Sequence, residues 1–184
     1  MLQVEMIPTV DFSDVQECAT IGDSEIKAAL EAYWLKMKIA RTKSEIASRP
    51  GMVGRLIVPD ANIDVALFSA SARSDSAEIV QAITDNPDSC AYITESISGA
   101  IVLADHNTQG FRGLSQVVPG TTGLIVTATE TIDIVATEVF NGHNYGILTD
   151  NDGVPISNIA NYIAYTCRDI WQNVRIVGFD VTSS

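Results

Sequence analysis

A series of short β-type segments, separated by turns, places the tightest limit on the fold of this chain. After residue 50, runs rich in Val, Ile, Leu and Thr alternate with Gly, Pro, Asn and Asp. Strands are predicted at residues 55–58, 63–68, 99–103, 123–129, 131–140, 159–166 and 175–181, and the connection after residue 140 has room for one more at 145–148. Many short strands at close spacing predict a sandwich or a barrel.

Helices are predicted mainly before and between these strands. Asp23-Ser24 suits a helix N-cap, apolar residues follow at helical spacing, and Pro50-Gly51 ends the pattern, so one helix is expected at residues 24–48. Shorter helices are expected at 75–83 and 110–117. The chain is therefore divided into a helical appendage, residues 1–50, and a β-rich domain, residues 51–184. The long helix either packs outside the domain or forms a stalk leading from a membrane anchor.

Charge and hydropathy exclude several classes of function. The formal net charge of −12 argues against nonspecific binding to nucleic acid or to anionic lipid. No apolar run approaches the roughly 20 residues that span a bilayer, and the acidic first 22 residues do not resemble a signal peptide. The sequence therefore leaves two alternatives, a cytosolic protein or a chain whose export or anchor segment is absent.

The cysteines and histidines are few enough to limit the chemistry. Cys18, Cys90 and Cys167 make an odd number, so at least one thiol is free unless it is joined to another chain. No Cys/His cluster has zinc spacing, and no metal or cofactor is expected. A cysteine that needs an imidazole base has two candidates, His106 and His143.

The last two predicted strands carry a thiol and a guanidinium close together. If they form a hairpin with residues 168–174 as its loop, Cys167 and Arg175 become a cross-strand pair on one face. An arginine beside a thiol favours the reactive thiolate, or stabilises an oxyanion on a substrate. The alternative is a buried structural cysteine beside an arginine that reaches solvent.

The order of these residues resembles that of the sortases, cysteine transpeptidases of Gram-positive cell surfaces. The resemblance covers residues 51–181 and is carried by several short motifs. They are Gly54-Arg55-Leu56-Ile57-Val58-Pro59, His106-Asn107 followed by Phe111 and Leu114, Thr166-Cys167, and Arg175-Ile176-Val177. Val80-Gln81, Asp85-Asn86 and Tyr92 are similar to a segment of class B sortases.

The chain also departs from the family pattern. Asp105 stands where sortases usually have glycine before the histidine, and Ala164-Tyr165 stands where a leucine-containing strand is usual. The connection from Phe140 to Ile159 is shorter than in class B, where a helix is usually inserted. Asp105 could orient His106, although adjacent residues on a strand face opposite ways.

The resemblance implies a mainly β, sortase-like closed barrel of about seven to eight strands, with short helices and an N-terminal helix. It implies that Cys167 is the nucleophile, His106 the general acid and base, and Arg175 the group that holds the substrate or the oxyanion. Further substrate contacts are expected from Thr166, Asn107 and Tyr165. The chain itself adds His143, in a loop beside the presumed groove.

The activity implied is cleavage of a C-terminal sorting motif through a thioacyl enzyme, with transfer to an amine. Its partners would be proteins bearing that motif and an amine acceptor, either a cell-wall precursor or a pilin lysine. Nucleic acid is not expected as a partner. Contact with a membrane is expected only through an anchor that is absent from this chain. The site of action would be the extracellular face of the cell membrane. The alternatives are a cysteine hydrolase on the same barrel and an inactive, sortase-like binding module.

Overall fold

The computed structural model describes residues 23–71, 76–94, 99–169 and 173–182. Cys18 lies outside them. By contacts the chain divides into two compact units, Met1–Lys38 and Ile39–Ser184. The predicted long helix is confirmed as α1, Asp23–Ser48, whose last ten residues belong to the second unit. The proposed division between residues 50 and 51 stays a prediction. Neither helix of the described residues has the length and apolar content needed to cross a membrane.

Near the start of the second unit, ion pairs connect the end of α1 to the sheet. Thr42 is buried, and Glu45 accepts a hydrogen bond from Arg55 at 2.6 Å. Arg55 also binds Asp64 on the neighbouring strand at 3.0 Å. These contacts raise the pKa of the Arg55 guanidinium, outweighing the opposing effect of its partial burial. The end of α1 is thereby tied to the first two strands.

Nine strands and a second helix make up the rest of the unit. They are β1 Met52–Val58, β2 Ile63–Ser71, α2 Ser76–Thr84, β3 Ser89–Thr94, β4 Ile101–Ala104, β5 Thr122–Thr127, β6 Thr131–Asn144, β7 Leu148–Asp150, β8 Tyr162–Cys167 and β9 Asn173–Val181. Most of these lie close to the predicted elements. The strand β3 was not predicted, and the expected helix at 110–117 is a series of turns with a 3₁₀ turn at Leu114–Gln116.

Eight of the strands close into a barrel, which confirms the predicted fold class. The strand order is β5-β1-β2-β3-β4-β8-β9-β6, and pairing of β5 with β6 completes the ring. The short strand β7 extends the sheet beyond β6. Strand β2 is parallel to β3, and β4 is parallel to β8, whereas all the other neighbouring strands are antiparallel. The β4–β8 pair positions the candidate site.

Strands β8 and β9 are buried on both faces. Ala164 and Val177, opposite each other, contribute to the main core with Phe179. Ile163 and Ile176 point to the other face and contribute to a second, smaller core. Because both faces are packed, slipping the pairing by one residue would move each apolar side chain to the wrong core. The register of this hairpin is therefore tightly fixed.

Candidate active site

The candidate site begins where the parallel strands β4 and β8 end side by side. Ala104 pairs with Tyr165, and the buried hydroxyl of Thr166 donates a hydrogen bond to the backbone carbonyl of Asp105 at 2.7 Å. Asp105 and Thr166, which are 61 positions apart in the sequence, are thus held together by one buried hydroxyl where the two strands end. Each is followed directly by a predicted catalytic residue, His106 after Asp105 and Cys167 after Thr166.

The register of the β8–β9 hairpin differs from the prediction. Cys167 pairs with Val174, and Thr166 pairs with Arg175, so the predicted direct pair of Cys167 with Arg175 is wrong by one residue. The physical reason is the two-sided packing of these strands, which requires Val174 to be buried. The hairpin also extends past Cys167, because the Arg168 N–H donates to the Asn173 carbonyl at 2.8 Å.

Cys167 and Arg175 nevertheless reach the same cavity. Its volume is ≈ 470 Å³, which is within the usual range for small-molecule and peptide-side-chain pockets. Side chains from four segments line it: Asn107, Phe111, Arg112, Ser115, Asn141, Thr166, Cys167, Arg168 and Arg175. Four residues proposed from the sequence, Cys167, Arg175, Thr166 and Asn107, are therefore brought together. His106, His143 and Tyr165 are not among the residues that line this cavity.

Arg175 is a half-buried residue of the cavity lining. Its Nη2 donates to the Val117 carbonyl at 3.3 Å, whereas its Nε is buried without a hydrogen-bond partner among the described residues. Burial lowers the pKa of this guanidinium, and the charge of Arg168 lowers it further. An arginine has five N–H donors, so Arg175 retains donors for a ligand oxygen after bonding Val117.

The two described cysteines have opposite environments. Cys167 is exposed at the end of β8, whereas Cys90 is fully buried in β3. Burial, and then the charge of Asp105, raise the pKa of the Cys90 thiol well above its usual value. Since the thiolate is the nucleophilic form, Cys90 is chemically inert and Cys167 is the accessible thiol of the described residues.

Asp105 does not orient the imidazole of His106 in the way the sequence suggested. Its side chain is only 5% exposed, and its Oδ1 accepts a hydrogen bond from the His106 backbone N–H at 2.7 Å. Its Oδ2 has no hydrogen-bond partner among the described residues. Burial raises the pKa of this carboxyl to about 7, although nearby backbone N–H groups act in the opposite direction. The carboxyl therefore fixes the backbone where His106 leaves the strand.

Tyr165 lies on the face of β8 that carries Cys167. Burial raises the pKa of its phenol to about 12, the charge of Cys167 adds to this, and a hydrogen bond with Asn144 opposes it. His143, on β6, pairs with Thr149 and Asn173, and its ring stacks on Tyr145 with centroids 5.5 Å apart.

Sequence reasoning missed four residues that line the cavity: Arg112, Ser115, Asn141 and Arg168. A signal for the two arginines was present. After residue 73 the sequence contains no lysine and only three arginines, Arg112, Arg168 and Arg175. No group of three or more His, Cys, Asp or Glu side chains in the described part of the chain could hold a metal ion.

Solved sortase structures share this fold. Sortase A of Listeria monocytogenes is 13% identical, with a TM-score of 0.51, and the match covers 72% of this chain and 88% of that one. A sortase D5 transpeptidase of Clostridium perfringens is 13% identical, with a TM-score of 0.51 and coverages of 80% and 93%. Sortase C of Streptococcus pneumoniae, described for its pilin substrate specificity, is 11% identical, with a TM-score of 0.54 and coverages of 74% and 68%.

Sequence comparison adds no closer relative. No protein-family model matches the chain, and no curated protein matches it. The similar structures belong to sortases of classes A, C and D, and they give no support to the resemblance to class B. At these identities the likeness concerns the fold, and the chain has the closed β-barrel fold of the sortases.

Proposed function

We propose that this protein is a sortase-like cysteine transpeptidase with Cys167 as its nucleophile. One observation carries the proposal: an exposed thiol shares a cavity with a half-buried arginine that has unused donors. A structural cysteine would be expected in a core, as Cys90 is. A sortase D5 of Clostridium perfringens that shares this fold is described as a transpeptidase, which supports the proposal.

The first half of the reaction forms a thioacyl enzyme. The Cys167 thiolate attacks a backbone carbonyl in a sorting motif near the C-terminus of a protein substrate. Arg175 stabilises the tetrahedral oxyanion through the N–H donors of its guanidinium that Val117 does not use. His106 protonates the leaving amine, the C–N bond breaks, and the part of the substrate after the cleavage point departs.

The second half transfers the acyl group. An amine, from a cell-wall precursor or a pilin lysine, attacks the thioester while His106 accepts its proton. The C–S bond then breaks, which regenerates Cys167 and leaves a new amide bond. A pilin acceptor is supported by analogy alone, through the sortase C described for pilin substrate specificity. This reaction would take place at the extracellular face of the cell membrane.

The other predicted residues have supporting roles. Thr166 positions the site, because its hydroxyl holds β8 against the carbonyl of Asp105. Asn107 lines the cavity and can hydrogen-bond the substrate backbone. Neither His143 nor Tyr165 lines the cavity, and their proposed role is contact with a longer peptide.

The test is detection of the covalent intermediate and its fate. A panel of sorting-motif peptides is incubated with the protein, with and without an added amine, and intact-mass spectrometry follows the thioacyl adduct. Cys167→Ala should abolish the adduct, and Arg175→Gln should lower its rate of formation by about 100-fold, as expected for loss of an oxyanion donor. Cys18→Ser serves as the matched thiol control and should form the adduct normally.

Three outcomes separate the possibilities. Amine-dependent product supports transpeptidation. Cleavage at the same rate with or without amine would instead identify a hydrolase. No adduct with any peptide, together with a Cys167 that a thiol probe labels no faster than Cys18, would contradict an enzymatic role and favour a binding module.

A further inference from the structure

The cavity is lined by every lysine or arginine of residues 74–184, a segment that is otherwise acidic. From residue 74 to residue 184 the basic residues are Arg112, Arg168 and Arg175, although the whole chain has a formal net charge of −12. All three line the cavity that contains Cys167. Chance placement over the barrel surface would distribute them, so their convergence needs a physical reason.

Among the described residues, these three arginines lack the carboxylate partners that Arg41 and Arg55 have. Arg55 binds Glu45 and Asp64, and Arg41 binds Glu45 at 2.8 Å. Among the described residues, by contrast, no ion pair involves any of the three arginines of the cavity. Like charges brought together without a counter-charge repel each other. Burial is the main cause of the lowered pKa of Arg175, and the charge of Arg168 lowers it further. A bound anion would relieve that repulsion.

The three arginines belong to separate segments of the cavity lining. Arg168 directly follows Cys167, and its backbone is held by the hydrogen bond to Asn173. Arg112 lies in the connection between β4 and β5, where its N–H donates to the Gln109 carbonyl at 3.1 Å. Arg175 enters from β9. The anion site therefore does not depend on one flexible loop.

The chemistry of the guanidinium indicates which anion fits. Its planar donors match the two oxygens of a carboxylate, and such bidentate pairs are stronger and more specific than contacts of a point charge. Asn107, Ser115 and Asn141 add neutral polar groups to the lining. An acidic peptide side chain, or a free carboxylate on a small amine, has the size and polarity that this cavity accommodates.

We propose that the cavity binds a carboxylate of the substrate beside Cys167, through Arg112 and Arg168, while Arg175 serves the reacting carbonyl. This rests on the proposed transpeptidase function for the identity of the substrate, but not for the existence of the anion site. The carboxylate belongs either to an Asp or Glu of the donor peptide or to the acceptor amine. Both sources share the same chemistry and are distinguished below.

The first experiment needs no knowledge of the substrate. Cys167 is alkylated with iodoacetate, which carries a carboxylate, and with neutral iodoacetamide, and peptide mapping gives the rate at that residue. For each thiol, the rate with iodoacetate is divided by the rate with iodoacetamide. At low salt this ratio should be about fivefold higher for Cys167 than for free glutathione. Adding 0.5 M salt, on the order of several times physiological ionic strength, should remove most of this preference.

Substitutions test whether Arg112 and Arg168 cause the preference of Cys167 for iodoacetate. The double variant Arg112→Gln/Arg168→Gln should bring the ratio to within about twofold of glutathione, since the positive charges near the thiol are then reduced to Arg175. Arg41→Gln removes a positive charge from α1 and should keep the wild-type ratio. The ratio is the measure, because a change in the thiol pKa alters both rates together. A wild-type ratio equal to that of glutathione overturns the proposal.

The second experiment identifies the source of the carboxylate. Peptides that differ only by Asp or Asn at each position of the motif are compared as donors, and glycine is compared with glycinamide as acceptor. Preference for Asp in the donor, lost in the double variant, places the carboxylate on the donor. Preference for glycine, lost in the same variant, places it on the acceptor. Equal turnover in every pair overturns the proposal.

The two proposals fail in different ways. A raised iodoacetate ratio without any thioacyl adduct would refute the transpeptidase and leave the carboxylate site in place. Amine-dependent transfer with a ratio equal to that of glutathione would refute the carboxylate site and leave the transpeptidase in place.

Discussion

Replacing Asp105 with asparagine should remove a pH dependence of stability that this one carboxyl produces. The side chain is 5% exposed, one oxygen has no hydrogen-bond partner among the described residues, and burial raises the pKa to about 7 from an ordinary 3.8. The folded state therefore favours the protonated form. The stabilising contribution is fully present below about pH 4 and is lost as the pH rises through 7.

The size of the effect follows from proton linkage. Between pH 5 and pH 8, a shift from 3.8 to about 7 lowers the free energy of unfolding by roughly 2.5 kcal/mol. The carboxyl is not completely removed from water, which screens part of the charge, so a loss of about 1–2.5 kcal/mol is expected. Asp105→Asn carries no titrating proton and should lack this term, whatever its constant effect on stability.

The assay is urea unfolding of both proteins at pH 5, 6, 7 and 8. The difference in free energy of unfolding between Asp105→Asn and wild type should grow by about 1–2.5 kcal/mol over that range. Asp60→Asn removes an exposed carboxyl from the 3₁₀ turn Pro59–Ala61 and provides the matched control, whose difference should stay constant. If the curves of Asp105→Asn and wild type run parallel to within about 0.5 kcal/mol, the carboxyl is ionised at pH 5 and the reasoning from its burial is refuted.

Further substitutions test the contacts that position the site. Thr166→Val removes the hydroxyl that donates to the Asp105 carbonyl at 2.7 Å, and it should lower the free energy of unfolding in urea by about 1–2 kcal/mol. Thr166→Ser keeps a hydroxyl and should retain most of that stability. Equal stability of the two variants would contradict this role of the hydroxyl. Gly113→Ala would drive a Cβ into the Ala61 carbonyl oxygen, so the connection that carries Arg112 must shift. We expect a loss of at least about 2 kcal/mol in the same assay, and an unchanged unfolding midpoint would refute that close approach.

The elements with a clear periodic signal were predictable from the sequence. The long helix α1 has an N-cap candidate at one end and Pro50-Gly51 at the other, and its observed bounds differ from the prediction by one residue. The strands β5 and β6 are rich in β-branched residues and were predicted. Propensity and turn signals act within a few residues, so they can be read directly from the chain.

The strand β3 shows where local reading fails. Its sequence, Ser89-Cys90-Ala91-Tyr92-Ile93-Thr94, begins with small residues and has three buried positions in succession instead of an alternating pattern. It is a strand because it lies parallel to β2 and is covered on both sides, which is a tertiary effect.

The sequence predicted several residues of the candidate site, but it did not predict the register in which the strands that carry them are paired. Thr166-Cys167 and Arg175 were singled out, and the structure places them at one cavity. Their register was wrong by one residue, because it depends on which core each face of the hairpin contacts. Arg112 and Arg168 were missed because no local motif marks them, although the distribution of positive charge along the chain did.

The closure of the barrel has a consequence for how the protein is made. Strand β9 follows all the other barrel strands in the chain, and it lies between β8 and β6. Until it emerges from the ribosome, both neighbours present unpaired edges, and Arg175 has not yet joined Cys167. A nascent chain therefore cannot assemble the cavity in stages. Folding must wait for long-range pairing, which is slow and leaves exposed edges open to aggregation or to binding by a chaperone.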